Sequence, residues 1–208
     1  MRRRRDAHLL AALAAAASFG AAAAGGPLGI DHELGYDDSG PWRRRNQFAL
    51  EYGSVLVVAG IALSEGDGSR LGHTAWQAVD SIALSAVAAQ ALKVAFSRSR
   101  PAQGDDPNAW FQGHGHRSFP SGEVTQIAAA VTPFVLEYGA EHPGVWLLEA
   151  LPAYDAIARV KAHAHWQTDV LAGFALGTAI GVYAHTRHES LAVIVLPRAV
   201  TIGWRRSF

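Results

Sequence analysis

The feature that most constrains this chain is a series of apolar stretches separated by polar joints: residues 48–63, 75–96, 124–138, 145–157 and 170–184. They outlast ordinary strands and are rich in Ala and Leu, which lose little side-chain freedom in a helix, so they predict helices. A chain of 208 residues can bury one sizeable core, and no linker divides it. The fold class expected is all-α, a helical bundle. The closing segment, 187–208, contains "LAVIVLPRAVTIGW", two β-branched runs around Pro197 and Arg198. These predict a short hairpin or an extended tail.

The N-terminus has a different design. "MRRRRDAHLLAALAAAASFGAAAAGG" places four arginines before an apolar run and then small residues suited to cleavage. That is the layout of a secretory leader over residues 1–24; an uncleaved anchor is the alternative. Residues 25–46 are rich in turn formers and predict an irregular lead-in, with the main domain at 47–186. The expected location is the exported, periplasmic side, soluble or membrane-associated. An integral membrane position is the alternative, although the runs are interrupted by Glu51, Asp80 and Lys93 and the mean hydropathy is only +0.07.

Composition narrows the chemistry. Formal net charge is zero, so no whole-protein field points to nucleic acid. With no cysteine, disulfides and thiolate chemistry are excluded. Among 18 basic residues only Lys93 and Lys161 are lysines, which draws attention to each.

Three polar stretches interrupt the apolar background. In "LKVAFSRSRPAQG", Lys93 and Arg100 stand seven apart, which on a helix places both on one face and suits an anion with several oxygens. A solvated basic face would look the same. "PSGEV", Pro120 to Val124, opens an apolar run; Ser121 and Glu123 there fit ordinary N-terminal capping as well as a ligand site. In "ARVKAHAHWQTDVLAG", His165 and Asp169 are at i,i+4 spacing, so the carboxylate can orient the ring and leave its other nitrogen free to attack. Arg159 adds a planar, bidentate cation.

Together the stretches read K-x6-RP, PSG-x and R-x5-H-x3-D, in that order. This pattern resembles the type 2 phosphatidic acid phosphatase superfamily, which includes lipid phosphate phosphatases, bacterial acid phosphatases and vanadium haloperoxidases. The resemblance spans about half the chain. It implies that Lys93, Arg100, Arg159, Ser121 and the Gly122 amide bind phosphate oxygens, that His165 is the nucleophile of a phosphohistidine mechanism, and that Asp169 orients it. It implies no metal or other cofactor, and a phosphomonoester or lipid-phosphate substrate met at a membrane surface.

Two positions depart from the pattern. Ala158 stands where the family usually has Ser. Glu123 stands where the family has the His that protonates the leaving oxygen, so Glu123 is expected either to be that acid or to mark an impaired, phosphate-binding relative. His114 or His116, on the loop before PSG, is the alternative proton donor to be expected. A metal site built from the "HGH" and "HAH" histidines is the remaining alternative.

Overall fold

Each apolar stretch forms a helix in the computed structural model, which describes residues 25–187, 191–196 and 199–204. They are α1 (Arg44–Glu65), α2 (Arg70–Phe96), α3 (Gly122–Tyr138), α4 (Ala150–Lys161) and α5 (Gln167–His185). A 3₁₀ segment, Pro143–Glu149, leads into α4 and takes up the first half of the fourth apolar run. The expected leader, residues 1–24, lies outside the described residues. At the C-terminus, β1 (Leu191–Leu196) and β2 (Ala199–Trp204) pair antiparallel, with Leu191 opposite Trp204 and Leu196 opposite Ala199. The hairpin is the form the tail takes.

Helix boundaries follow local chemistry. Gly66 ends α1 at φ 66, and Ser69 caps α2 by accepting the Gly72 N–H at 3.0 Å. α2 stops at Phe96, where Ser97 turns left-handed at φ 39. This corrects the shared-face reading of Lys93 and Arg100: Lys93 lies in the last turn of α2, whereas Arg100 stands beyond it on the loop before Pro101. The two are brought together by the loop's path, not by helical periodicity.

The core is centred on α3, whose Val124, Ile127, Ala128 and Ala129 are fully buried. α5 packs against it through glycines. A Cβ on Gly173 would lie 2.6 Å from the Ser121 carbonyl oxygen, and one on Gly177 would lie 2.2 Å from that of Thr125. Bare backbone therefore lets α5 approach the start of α3, and that approach sets Ser121 beside Asp169. The amide of Ser121 donates to the Asp169 carbonyl at 3.0 Å.

Polarity is partly inverted across the bundle. α1 turns Gln47 and Glu51 inward while exposing Leu56, Val57 and Leu63; α2 exposes Val87 and Val94, and α5 exposes Leu171, Val182 and Tyr183. α1 and α2 are each long and apolar enough to cross a membrane by length and composition.

Gly177→Val should test the close α3–α5 approach. Its side chain has no room against Thr125 and Ala128, so stability should fall by roughly 1–3 kcal/mol, read as a lowered Tm. An unchanged Tm would contradict the contact.

Candidate active site

Asp169 occupies the first turn of α5 and is fully buried. Its Oδ1 accepts from the Arg98 guanidinium at 2.6 Å. Its Oδ2 accepts from the Ser118 hydroxyl at 2.5 Å and from the Trp166 amide at 2.9 Å. His165 precedes the helix, with Nδ1 3.7 Å from Oδ2. The i,i+4 reading thus finds the right neighbours by another route: only Asp169 is helical, and the chain before the N-cap carries His165 onto it. At 3.7 Å the pair is not yet a hydrogen bond, and Nδ1 has no other partner. Contacts of this kind often tighten only when substrate binds.

Burial drives the His165 pKa down to about 3, reinforced by Lys93, Arg159 and Arg100 and opposed by Asp169. The imidazole is therefore neutral through the ordinary pH range, with a lone pair available for attack. For Asp169, burial works toward a raised pKa, but His165, Arg98 and Ser118 together outweigh it and hold the carboxyl below its usual range.

The cations named from sequence converge on this pair. Lys93 reaches over the start of α3, donating to the carbonyls of Pro120 at 2.6 Å and Arg117 at 3.0 Å. A Cβ on Gly122 would sit 3.4 Å from its Cε. Burial, with Arg100 second, lowers the Lys93 pKa to about 8. Arg159 is buried near the end of α4, donating through Nη1 to Gln47 at 2.9 Å while its Nε has no partner. Ser121 presents a buried hydroxyl, also without a partner, at the N-cap of α3. Donors that are buried and unpaired beside a helix N-terminus are suited to an anion.

Glu123 faces the same cluster and is gripped by arginine. Arg44, the first residue of α1, binds both of its oxygens, with Nη2 to Oε1 at 2.8 Å; Nη2 of Arg159 stands 3.5 Å from Oε1. Gln47 bridges the two guanidiniums through its Oε1. Behind them lie two more acids, Glu51 and the fully buried Asp155. Burial, then the nearby Glu123, pushes each up to about 7.

Sequence reasoning missed three members. Arg98 is wholly buried, paired with Asp31 at 2.6 Å as well as with Asp169, and lies over the Trp110 ring at 4.3 Å. Asp31, from the irregular lead-in, also accepts from the amide of Thr168 at 2.8 Å and from its hydroxyl at 2.7 Å. Neither residue has a periodic signature. Arg44 falls in the run "WRRR" within the expected lead-in, yet it opens α1.

The histidines of the metal alternative go separate ways. His116 Nδ1 meets the Ser99 hydroxyl at 2.9 Å, His163 Nε2 the Leu34 carbonyl at 2.6 Å, and His165 faces Asp169. Among the described residues no three His, Asp or Glu side chains form a metal-binding group.

Comparison with known proteins agrees with this geometry. A family model described as the PAP2 superfamily matches residues 74–192, which include every motif position named above. The lipid A 1-phosphatase of Porphyromonas gingivalis is 34% identical over 92 residues, covering 43% of this chain and 18% of the relative. The chain thus spans under a fifth of that relative's length. No solved structure matches.

Arg98→Met should leave Asp31 and Asp169 buried without a cation, lowering stability by about 3–5 kcal/mol. Adding Asp31→Asn should recover part of the lost Tm. If the single variant melts with the wild type, the buried ion network is not structural.

Proposed function

The chain belongs to the PAP2 superfamily, and from that premise we propose that it is an exported phosphatase that cleaves lipid phosphates through His165. The observation that carries this reading is a buried imidazole, held neutral by its burial, beside Asp169 and close to the cations Lys93, Arg159 and Arg100.

In the proposed reaction Lys93, Arg100, Arg159, Ser121 and the first amides of α3 hold the phosphoryl oxygens, where fixed donors offset the negative charge of the transition state. His165 Nε2 attacks phosphorus in line. Asp169 orients the ring and stabilises its positive charge in the phosphohistidine. Water then cleaves the N–P bond and frees the imidazole for another turn.

A lipid substrate is supported by two further features. An apolar cavity of about 370 Å³ runs between α1, α3 and the start of α4, lined by Leu50, Val57, Ile61, Phe134, Leu148 and Leu151. Its lining includes Leu50 and Val57 of α1, the helix that also carries Arg44 and Glu51, and an apolar cavity suits a hydrocarbon tail. The exposed apolar faces of α1, α2 and α5 favour contact with a membrane. The lipid A 1-phosphatase relative points to the same substrate class.

A phosphate-release screen across lipid phosphates and soluble esters tests the reading, with His165→Ala expected to lose turnover by several orders of magnitude. Saturable phosphate binding without any turnover would favour the non-catalytic binder instead. The pH profile should be asymmetric. His165 remains neutral down to about pH 3, so it imposes no acid limb. Lys93 holds phosphate only when charged, so KM should rise as pH passes about 8 and the proton is lost. A flat KM from pH 7 to 10 would remove Lys93 from the phosphate site. In cell fractions the protein should stay with membranes through a high-salt wash and be released by detergent. Quantitative recovery in the salt wash would contradict apolar contact with lipid.

A further inference from the structure

An alkyl ester releases an alkoxide unless a proton meets its leaving oxygen. Glu123, at the family's proton-donor position, is poorly placed to supply one. Arg44 binds both of its oxygens, with Nη2 to Oε1 at 2.8 Å, and Arg159 stands 3.5 Å from the same carboxylate. An acid must aim an O–H at the oxygen it protonates, and here each oxygen accepts from a cation. His73, His142 and His185 are no substitute. They stand at the start of α2, after the end of α3 and at the end of α5, whereas the phosphate-binding cluster gathers at the opposite ends of those helices.

His116 is at the right end, and a set of contacts fixes where it stands. Its Nδ1 meets the hydroxyl of buried Ser99 at 2.9 Å, and Ser99 is the neighbour of Arg100. The Ser99 carbonyl accepts the Trp166 Nε1–H at 2.9 Å, and Trp166 is the neighbour of His165. Gln103 accepts the Arg100 amide at 3.0 Å and donates to the Gly115 carbonyl at 3.2 Å, which holds the loop bearing His116 against the segment bearing Arg100. Along the chain His116 is two residues, about 7 Å at most, from Ser118, which donates to Asp169 at 2.5 Å. A cavity of about 240 Å³ joins this imidazole to the phosphate cations, and its lining includes Lys93, Ser97, His114, His116 and Arg117. Lys93 and Arg100 both donate to the Arg117 carbonyl, at 3.0 and 3.4 Å.

We propose that His116, positioned by Ser99, is the proton donor to the leaving oxygen and takes the role that Glu123 cannot fill. This rests on the phosphatase reading above. An imidazolium donates from both nitrogens, so Nδ1–H goes to the Ser99 oxygen and Nε2–H is left for a substrate in the cavity that Lys93 borders. In the step, His165 Nε2 forms a bond to phosphorus while the bond from phosphorus to the ester oxygen breaks. The electron pair passes to that oxygen, which takes the Nε2 proton of His116 and departs as an alcohol. His116 is then neutral, and its Nε2 lone pair takes a proton from the water that cleaves the N–P bond. The water oxygen goes to phosphorus and its second hydrogen stays on the released phosphate. Both imidazoles return to their starting states. Imidazole is the side-chain type whose ordinary proton exchange falls near neutral pH, which suits both halves of this cycle.

The test uses the purified full chain in mixed micelles, measuring kcat/KM on dodecyl phosphate, whose leaving group needs a proton, and on nitrophenyl phosphate, whose leaving group scarcely does. His116→Ala should lose about 100-fold or more on dodecyl phosphate, the scale of one positioned acid, and far less on the nitrophenyl ester. His116→Gln keeps hydrogen-bonding capacity without a transferable proton and should show the same split. Added imidazole should restore part of the dodecyl phosphate rate in His116→Ala, which repair of a damaged fold would not do. Ser99→Ala should cause a smaller loss in the same direction. Equal losses on both substrates in His116→Ala, or wild-type turnover of the nitrophenyl ester alone, would overturn the inference while the phosphatase reading stands. A split produced by Glu123→Gln or His114→Ala and absent from His116→Ala would also overturn it and move the acid to that residue. Phosphate release from neither ester would overturn both readings.

Discussion

The Asp169 carboxylate is the interaction on which the rest of this site depends. It is fully buried and accepts from Arg98 in the loop after α2, from Ser118 before α3 and from the Trp166 amide at the start of α5. Its own carbonyl accepts the amide of Ser121. One residue thus ties together the segments that carry Arg100, Ser121 and His165, three of the residues to which the proposed reaction gives a part. A charge so deep is stable only because Arg98 compensates it, and Arg98 in turn requires Asp31 to satisfy its other edge. The irregular lead-in is therefore part of the scaffold of the candidate site, although it lies outside the region matched by the family model.

A second arrangement of charge surrounds Glu123. Three helices contribute to it: Arg44, Gln47 and Glu51 from α1, Glu123 from α3, and Asp155 and Arg159 from α4. Arg44 offsets Glu123, so that carboxylate cancels less of the charge on Arg159 beside it. Glu51 and Asp155, both pushed up to about 7 by burial and by Glu123, are only partly ionised near neutral pH. The bundle places this polar interior beneath apolar outer faces, an order that suits a protein working against lipid.

How much of this was legible in the sequence depended on the kind of signal. The five helices were legible because long Ala- and Leu-rich runs have few alternatives. The candidate site residues Lys93, Arg100, Ser121, Gly122, Arg159, His165 and Asp169 stood out because three spaced motifs occurred in order. The helical geometry inferred for them was less secure. Ser97 turns the chain before Arg100, and His165 precedes α5, so both juxtapositions come from loop paths rather than from shared helix faces. Arg98, Asp31 and Arg44 were not legible because a buried ion pair between distant segments leaves no local pattern. The glycines at 173, 177 and 181 were visible as letters, but their use as a contact surface required a partner helix.

The central claim is that His165 becomes covalently phosphorylated, and a direct measurement is to trap that species. Purified protein mixed with a substrate labelled in its terminal phosphate and quenched in base should carry label on a histidine, since phosphohistidine is stable in base and lost in acid. Peptide mapping should place the label on His165 at up to one per chain, with none in His165→Ala. Turnover without any trapped label, or label persisting in His165→Ala, would contradict it.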